Sequence, residues 1–354
     1  MASWQKRFLS VALAVLAVLA ALAGERAKRD AEMTKPVATL ADGTVGRFHF
    51  MSYSARWSDL APGAYLRAPV SVAAELLLPE GGRERVRSQE DRLPAVVILH
   101  GSDGLADHQR RYARDLVALG LAVLVVDSFG ARGVEDTIDE LAAVTPYSML
   151  IDAYHALALL QTHPAIDPTR IALVGWSKGG MVADWASRRR YKELLGATLV
   201  PYAAYAAFYP WCGEQHAPVR LTGGPLLYLV GERDDWTGTA PCIDYVERVR
   251  DAGYDARLVL FPDAEHGFDY PGRFRRYLTA AEGWSRCNYV AGETQLRVIA
   301  TNTGLPWPQF PDYIGSCTEK GAHVGSNARA REAAARELRA FLTEALKLPP
   351  SPAS

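Results

Sequence analysis

The chain has 354 residues, 49% of them apolar, with 39 Lys and Arg against 40 Asp and Glu and a formal charge of -1. That balance excludes the strongly basic surface a nucleic-acid partner requires, and the apolar share suffices for a large buried core. Four cysteines, none in a Cys-x-x-Cys pair, lack the spacing of a zinc site.

The first residues place Lys6 and Arg7 ahead of an uncharged apolar run, 8–23, that closes on Ala21-Leu22-Ala23. A basic start, an apolar stretch shorter than the ~20 residues of a membrane span, and a small-x-small ending form the layout of a secretory signal. The reading predicts a signal peptide over 1–23 cleaved before Gly24, an exported protein (periplasmic or secreted), and membrane contact only through this segment. An uncleaved anchor is the alternative. Residues 24–45 read as a linker, 46–347 as one domain, and the proline-rich 348–354 as a disordered tail.

Runs 47–53 and 71–78 look like strands that form an antiparallel entry to a sheet. From 94 to 260 short apolar, β-branched runs alternate with longer helical patterns. Strands are predicted at 95–99, 122–126, 170–174, 203–209, 225–230 and 257–261, and helices at 108–119, 148–161, 178–190 and 240–252. This is how a mostly parallel, doubly wound α/β sheet with helices on both faces reads. Residues 288–320 show no sustained period and are predicted as an irregular insertion. The run 327–346 is strongly helical and amphipathic, a last helix packed on the sheet.

Within this frame Gly175-Trp176-Ser177-Lys178-Gly179 follows a strand and opens a helix. Such a strand-to-helix turn holds a serine strained and exposed above the sheet, and the glycines let neighbouring backbones approach. A serine hydroxyl needs a His base, and the His needs an acid to set its tautomer. Strand 225–230 runs into Gly231-Glu232-Arg233-Asp234-Asp235, and the next strand into Glu265-His266-Gly267. Ser177, Asp234 and His266 are therefore the candidate catalytic residues, in the order Ser, Asp, His along the chain. Asp235 is the alternative acid. Candidate oxyanion donors are the backbone N–H groups of Lys178, at the helix start, and of Ser102, in His100-Gly101-Ser102-Asp103-Gly104 after strand 95–99. His100 reads as a residue that orders this loop.

The spaced set His100-Gly101-Ser102-x-Gly104, Asp127-Ser128-Phe129-Gly130-x-Arg132-Gly133, Asp167-Pro168-x-Arg170-Ile171, Gly175-Trp176-Ser177-Lys178-Gly179-Gly180, Gly231-x-x-Asp234-Asp235-Trp236 and His266-Gly267-Phe268 resembles the dienelactone hydrolase family over residues 70 to 345. The resemblance implies the α/β-hydrolase fold and its triad. The family's namesakes carry Cys where this chain has Ser177, and they lack a signal.

Three further residues fall at the edge of the expected site. Arg132 is positioned to bind a substrate carboxylate or to brace its loop. Trp211 and Trp236 follow two strand ends and would wall an acyl pocket or pack in the core. In an exported chain the four cysteines read as disulfides with three possible connectivities, the sequence-adjacent pairing Cys212 with Cys242 and Cys287 with Cys317 being favoured. The second bridge would staple the 288–320 insertion, which carries Trp307 and Phe310 and is a candidate partial lid. The expected activity is a serine hydrolase cleaving a small-molecule carboxylic ester through an acyl-enzyme, with lactonase, peptidase and a catalytically silent binding protein as alternatives. No metal or organic cofactor is implied, and the oligomeric state is open.

Overall fold

The computed structural model describes residues 35–59, 64–82, 88–292 and 295–349. The signal over 1–23, residues 24–34 of the linker and residues 350–354 of the tail lie outside the described residues. Among those described, no helix is long and apolar enough to cross a membrane.

Among the described residues nine strands form the main sheet, in the order β1-β2-β3-β5-β4-β6-β7-β9-β10. They are β1 (Pro36–Val37), β2 (Gly46–Tyr53), β3 (Pro69–Leu77), β4 (Leu93–Leu99), β5 (Ala122–Asp127), β6 (Ile166–Trp176), β7 (Ala204–Phe208), β9 (Leu226–Gly231) and β10 (Ala256–Phe261). β2, β3 and β5 pair antiparallel in sequence, and from β5 across to β10 every pairing is parallel. The parallel strands are covered on both faces, which explains their unbroken apolar runs. Val96 and Ile98 of β4 face α1 (Asp107–Ala118) and α7 (Ala328–Ala345). Ala95, Val97 and Leu99 face the core shared with α2 (Pro146–Leu160), α3 (Lys178–Ala186) and α5 (Ala240–Asp251). This is the α/β-hydrolase fold.

The chain runs outward from β4 to β5, then returns to the other side of β4 to lay down β6. A crevice opens at the carboxyl ends of strands where the order reverses in this way. Ser102 follows β4 and Ser177 follows β6, so both sit at that point.

Two predicted elements differ from the structure. The helix expected over 178–190 stops at Ala186, and α4 (Arg189–Gly196) starts afresh after Arg188 turns extended. The break has a local cause: the Ser187 hydroxyl donates back to the Asp184 carbonyl at 2.6 Å, and the Arg188 guanidinium reaches the Asp184 carboxylate at 2.7 Å. The insertion expected to be irregular is largely regular. β12 (Tyr289–Ala291), β13 (Gln295–Val298) and β14 (Thr303–Pro306) join β8 (Glu214–His216) in a four-stranded sheet, and α6 (Phe310–Cys317) follows. Strands of three or four residues are too short to carry a period, and β12 is paired by β8, far upstream in sequence. Around this segment, β11 (Arg275–Gly283) and β15 (Glu319–Gly325) form an antiparallel pair.

Both cystines join sequence-adjacent partners, Cys212 with Cys242 and Cys287 with Cys317, each closing a separation of 30 residues.

Candidate active site

Ser177 is the whole turn between β6 and α3, with φ 52° and ψ -113°. A serine in this left-handed region is strained by roughly 1–3 kcal/mol, so the surroundings must impose it. They do so by hydrogen bonds from Ser177 N–H to the Phe208 carbonyl and from Met181 N–H to the Ser177 carbonyl, both 2.9 Å. Glycine is obligatory on either side: a Cβ on Gly175 would lie 2.0 Å from the Gly179 oxygen, and one on Gly179 would lie 2.5 Å from the His100 oxygen.

The loops after β9 and β10 bring Asp234 and His266 to this turn. His266 Nε2 lies 2.9 Å from Ser177 Oγ, and its Nδ1 lies 2.8 Å from Asp234 Oδ2. A carboxylate can only accept, so Nδ1 carries the proton and Nε2 is left to accept from the serine hydroxyl. Asp234 is itself fixed by the N–H groups of Trp236 (3.0 Å) and Thr237 (2.9 Å) and by the Thr237 hydroxyl (2.9 Å). Burial alone would raise its pKa, but the charge and hydrogen bond of His266 and the donors of Thr237 outweigh it and hold the carboxyl below its ordinary value. The His266 ring is wedged between Tyr209, with centroids 4.6 Å apart, and Trp236, at 4.8 Å.

Asp235, the alternative acid, points elsewhere. Its two oxygens take the N–H and Nδ1 of His323 at 2.8 and 2.7 Å. One residue along an extended turn reverses the side chain, and that choice was beyond the sequence.

His100 is fully buried and orders the loop that carries Ser102. Ser128 N–H donates to its Nε2 at 3.1 Å, which leaves Nδ1 as the donor to the Gly101 carbonyl at 2.8 Å. The same loop is tied down by Thr137 N–H on the Ser102 carbonyl, 2.7 Å. Lys178 is the first residue of α3, where backbone N–H groups have no acceptor inside the helix.

The substrate role considered for Arg132 is corrected by its surroundings. Its guanidinium makes a two-pronged contact with Asp152, at 2.8 and 3.0 Å, and donates to Ser54 Oγ and the carbonyls of Ser128 and Tyr53. It is buried and does not line the cavities at Ser177. The loop-bracing reading is the one the contacts match. Trp211 and Trp236 do reach a cavity wall beside Ser177.

Three features carried no sequence signal. The Lys178 side chain is buried, its ammonium held by Thr137 Oγ1 (2.6 Å) and the carbonyls of Val144 (2.9 Å) and Leu141 (3.0 Å), and burial pushes its pKa down to about 7. Asp269, also buried, accepts from the Trp176 indole and the Tyr209 hydroxyl, each at 2.7 Å. Arg276 lines the cavity beside His266, stacked 5.6 Å from the Phe274 ring centroid. A Lys or Asp reads as solvated until the fold shows what encloses it, whereas Arg276 is exposed and is marked only by its place on the cavity wall.

Ser177 stands between two cavities, of about 250 Å³ and about 350 Å³. Among the described residues, no cluster of three His, Cys, Asp or Glu could hold a metal ion.

Comparison with known proteins places this geometry in a family. Acylamino-acid-releasing enzyme 1 of Oryza sativa subsp. japonica is 24% identical over 216 residues, which cover 50% of this chain but only 28% of that protein. The probable 2-oxo-3-(5-oxofuran-2-ylidene)propanoate lactonase of a Bradyrhizobium species is 23% identical over 189 residues, 50% of this chain and 74% of that protein. Among solved structures, the dienelactone hydrolase-like promiscuous phosphotriesterase P91 from metagenomic libraries is 17% identical, covering 84% of this chain and 98% of its own, with a TM-score of 0.48. The sequence model of the dienelactone hydrolase family matches residues 84–293, more than half of the chain. The chain belongs to the dienelactone hydrolase family and is a hydrolase.

Proposed function

We propose that this hydrolase cleaves a small-molecule carboxylic ester through an acyl-enzyme on Ser177. The observation that carries the reading is the continuous hydrogen-bonded chain from Ser177 Oγ through His266 to Asp234. Ser177 Oγ attacks the ester carbonyl carbon while its proton passes to His266 Nε2. The oxyanion of the tetrahedral intermediate takes hydrogen bonds from the backbone N–H groups of Ser102 and Lys178. On its collapse the bond from carbon to the alcohol oxygen breaks, and His266 returns the proton to that oxygen. Water then attacks the acyl carbon, its proton going to His266 Nε2; the acyl–Oγ bond breaks as His266 returns that proton to Ser177 Oγ, and the carboxylic acid leaves. Asp234 keeps the proton on Nδ1 and stabilises the imidazolium formed in each half-reaction.

A fluorophosphonate probe tests this directly. Native protein is expected to be labelled on Ser177, and Ser177→Ala not at all. Folded protein that resists the probe would instead be a silent binding scaffold. Lactones and aminoacyl amides pass through the same steps with a different leaving group, and turnover on aryl esters, lactones and aminoacyl amides in parallel separates the three.

The same reading places the enzyme outside the cytoplasm, in keeping with two disulfides and the charge pattern of residues 1–23. Mass spectrometry of protein from the native host is expected to find Gly24 at the N-terminus.

A further inference from the structure

The two cavities flanking Ser177 share only Ser102, Ser177 and Trp236 among their lining residues. His266 lines the larger and not the smaller, while Lys178 lines the smaller and not the larger. This asymmetry dictates how an ester lies. The leaving oxygen must take its proton from His266, so the alcohol half belongs on the His266 side and the acyl substituent points the opposite way. We propose that the cavity of about 250 Å³ is an acyl pocket for an uncharged aryl or arylalkyl acyl group, with segment 284–317 as the wall that selects it. The proposal rests on the acyl-enzyme reading above.

Shape is the first ground. Tyr147, Trp185, Trp211, Trp284, Tyr289 and Phe310 surround the smaller cavity. They are ordered against one another: Tyr147 stacks on Trp185 at 4.9 Å, Trp211 meets Trp284 edge to face at 4.9 Å, and Tyr289 meets Phe310 likewise at 5.4 Å. A flat ring is the occupant that extends such a set of stacked and edge-on contacts, and a methyl group would leave most of it unfilled.

Charge is the second. The two ionisable side chains at the wall besides the tyrosines, Glu214 and Lys178, are both fully engaged. Glu214 takes the Tyr289 hydroxyl at 3.0 Å, Arg188 at 3.2 Å and His216 at 3.0 Å. Lys178 is spent on Thr137, Leu141 and Val144. An acyl chain ending in a carboxylate would meet the charge of Glu214 with no free cation to offset it.

The wall itself is the third. Tyr289 and Phe310 lie in the loop that the Cys287–Cys317 bridge closes, Trp284 precedes it and accepts the Cys287 N–H on its carbonyl at 2.9 Å, and the Trp211 indole donates to the Cys287 carbonyl at 3.0 Å. The segment expected as a lid is, in this proposal, a covalently braced side wall. The side chain of Trp307 lies outside the described residues.

The acyl side is tested with 4-nitrophenyl esters, so that the leaving group is constant in that series. With the full mature chain, kcat/KM for the 3-phenylpropanoate is expected to exceed that for the acetate by about tenfold or more, and the hemisuccinate to fall below the butanoate of equal chain length. Phe310→Ala is expected to shrink the phenylpropanoate-to-acetate ratio by roughly fivefold. Leu278→Trp, on the His266 side, is expected to change the ratio between 1-naphthyl and methyl propanoate instead. Acetate turned over as well as phenylpropanoate, a preferred hemisuccinate, or the two variants acting on each other's ratios would each overturn the assignment. The wild-type panel decides the matter even if Phe310→Ala does not fold. Fluorophosphonate labelling keeps the two readings apart: folded protein that is neither labelled nor active refutes the acyl-enzyme, whereas labelled, active protein without acyl preference refutes the pocket alone.

Discussion

Asp269 accepts the Tyr209 hydroxyl at 2.7 Å, and the ring of that tyrosine lies 4.6 Å from the ring of His266. The other Asp269 oxygen takes the indole N–H of Trp176, the residue before Ser177, so one buried carboxylate ties the serine turn to the histidine loop. Asp269→Ala would leave two buried donors unpaired, at roughly 1–3 kcal/mol each. It would also loosen the surface against which the imidazole rests. The expected outcome is a lowered melting temperature together with a kcat about tenfold down at little changed KM, because small misplacements of a base are costly. A variant that melts early yet keeps full kcat would show that Asp269 supports the fold only.

The two neighbouring acids make a sharper comparison. Asp234→Asn removes the carboxylate that sets the His266 tautomer, and kcat should fall by about 10³ to 10⁴. Asp235 is on the surface, paired with His323, and its Asn variant should stay within about threefold of wild type. Equal losses in steady-state assays of the two variants would refute the proposed triad.

Arg132 should behave as a structural residue. Removing it strands the fully buried Asp152, which also binds Ser52, and breaking a buried pair in this way costs about 3–5 kcal/mol. Arg132→Ala is therefore expected to shift the urea midpoint strongly while KM for an anionic ester is unaffected in the folded fraction. An unshifted midpoint with a raised KM would restore the substrate role.

Lys178 offers a pH test. Its pKa is 10.5 when solvated and about 7 in the fold, lowered by burial. Between those values the unfolded chain binds the proton and the folded chain does not. Stability from this group therefore rises with pH across the window, by up to about 1.4 kcal/mol per unit, and the full penalty is present below pH 7. Lys178→Met should flatten the rise, and urea midpoints at pH 7, 8 and 9 would read it. Identical slopes in the two proteins would mean that the ammonium stays charged, held by its three acceptors.

The parts of this protein that were legible in its sequence are those governed by local rules. β4, β5 and β6 are buried on both faces and so read as unbroken apolar runs. The turn at Ser177 announces itself through the glycines that its close backbone approaches demand. By contrast β8 and β12 become strands only because they find each other across more than seventy residues, and neither Glu214-Gln215-His216 nor Tyr289-Val290-Ala291 carries that information. The single helix expected over 178–190 shows the converse: favourable propensity was overruled by Arg188, which leaves the helix to reach Asp184 and Glu214.

The sequence by itself determined the α/β architecture, the order in which Ser177, Asp234 and His266 appear, and their placement at strand ends, because periodicity and turn chemistry act over a few residues. Only the tertiary structure decided that Asp234 rather than Asp235 meets His266, that Arg132 is spent on Asp152, and that aromatic side chains from five separate stretches enclose one cavity beside Ser177. Those outcomes depend on the direction of single side chains and on surfaces brought together from distant parts of the chain, which no local pattern encodes.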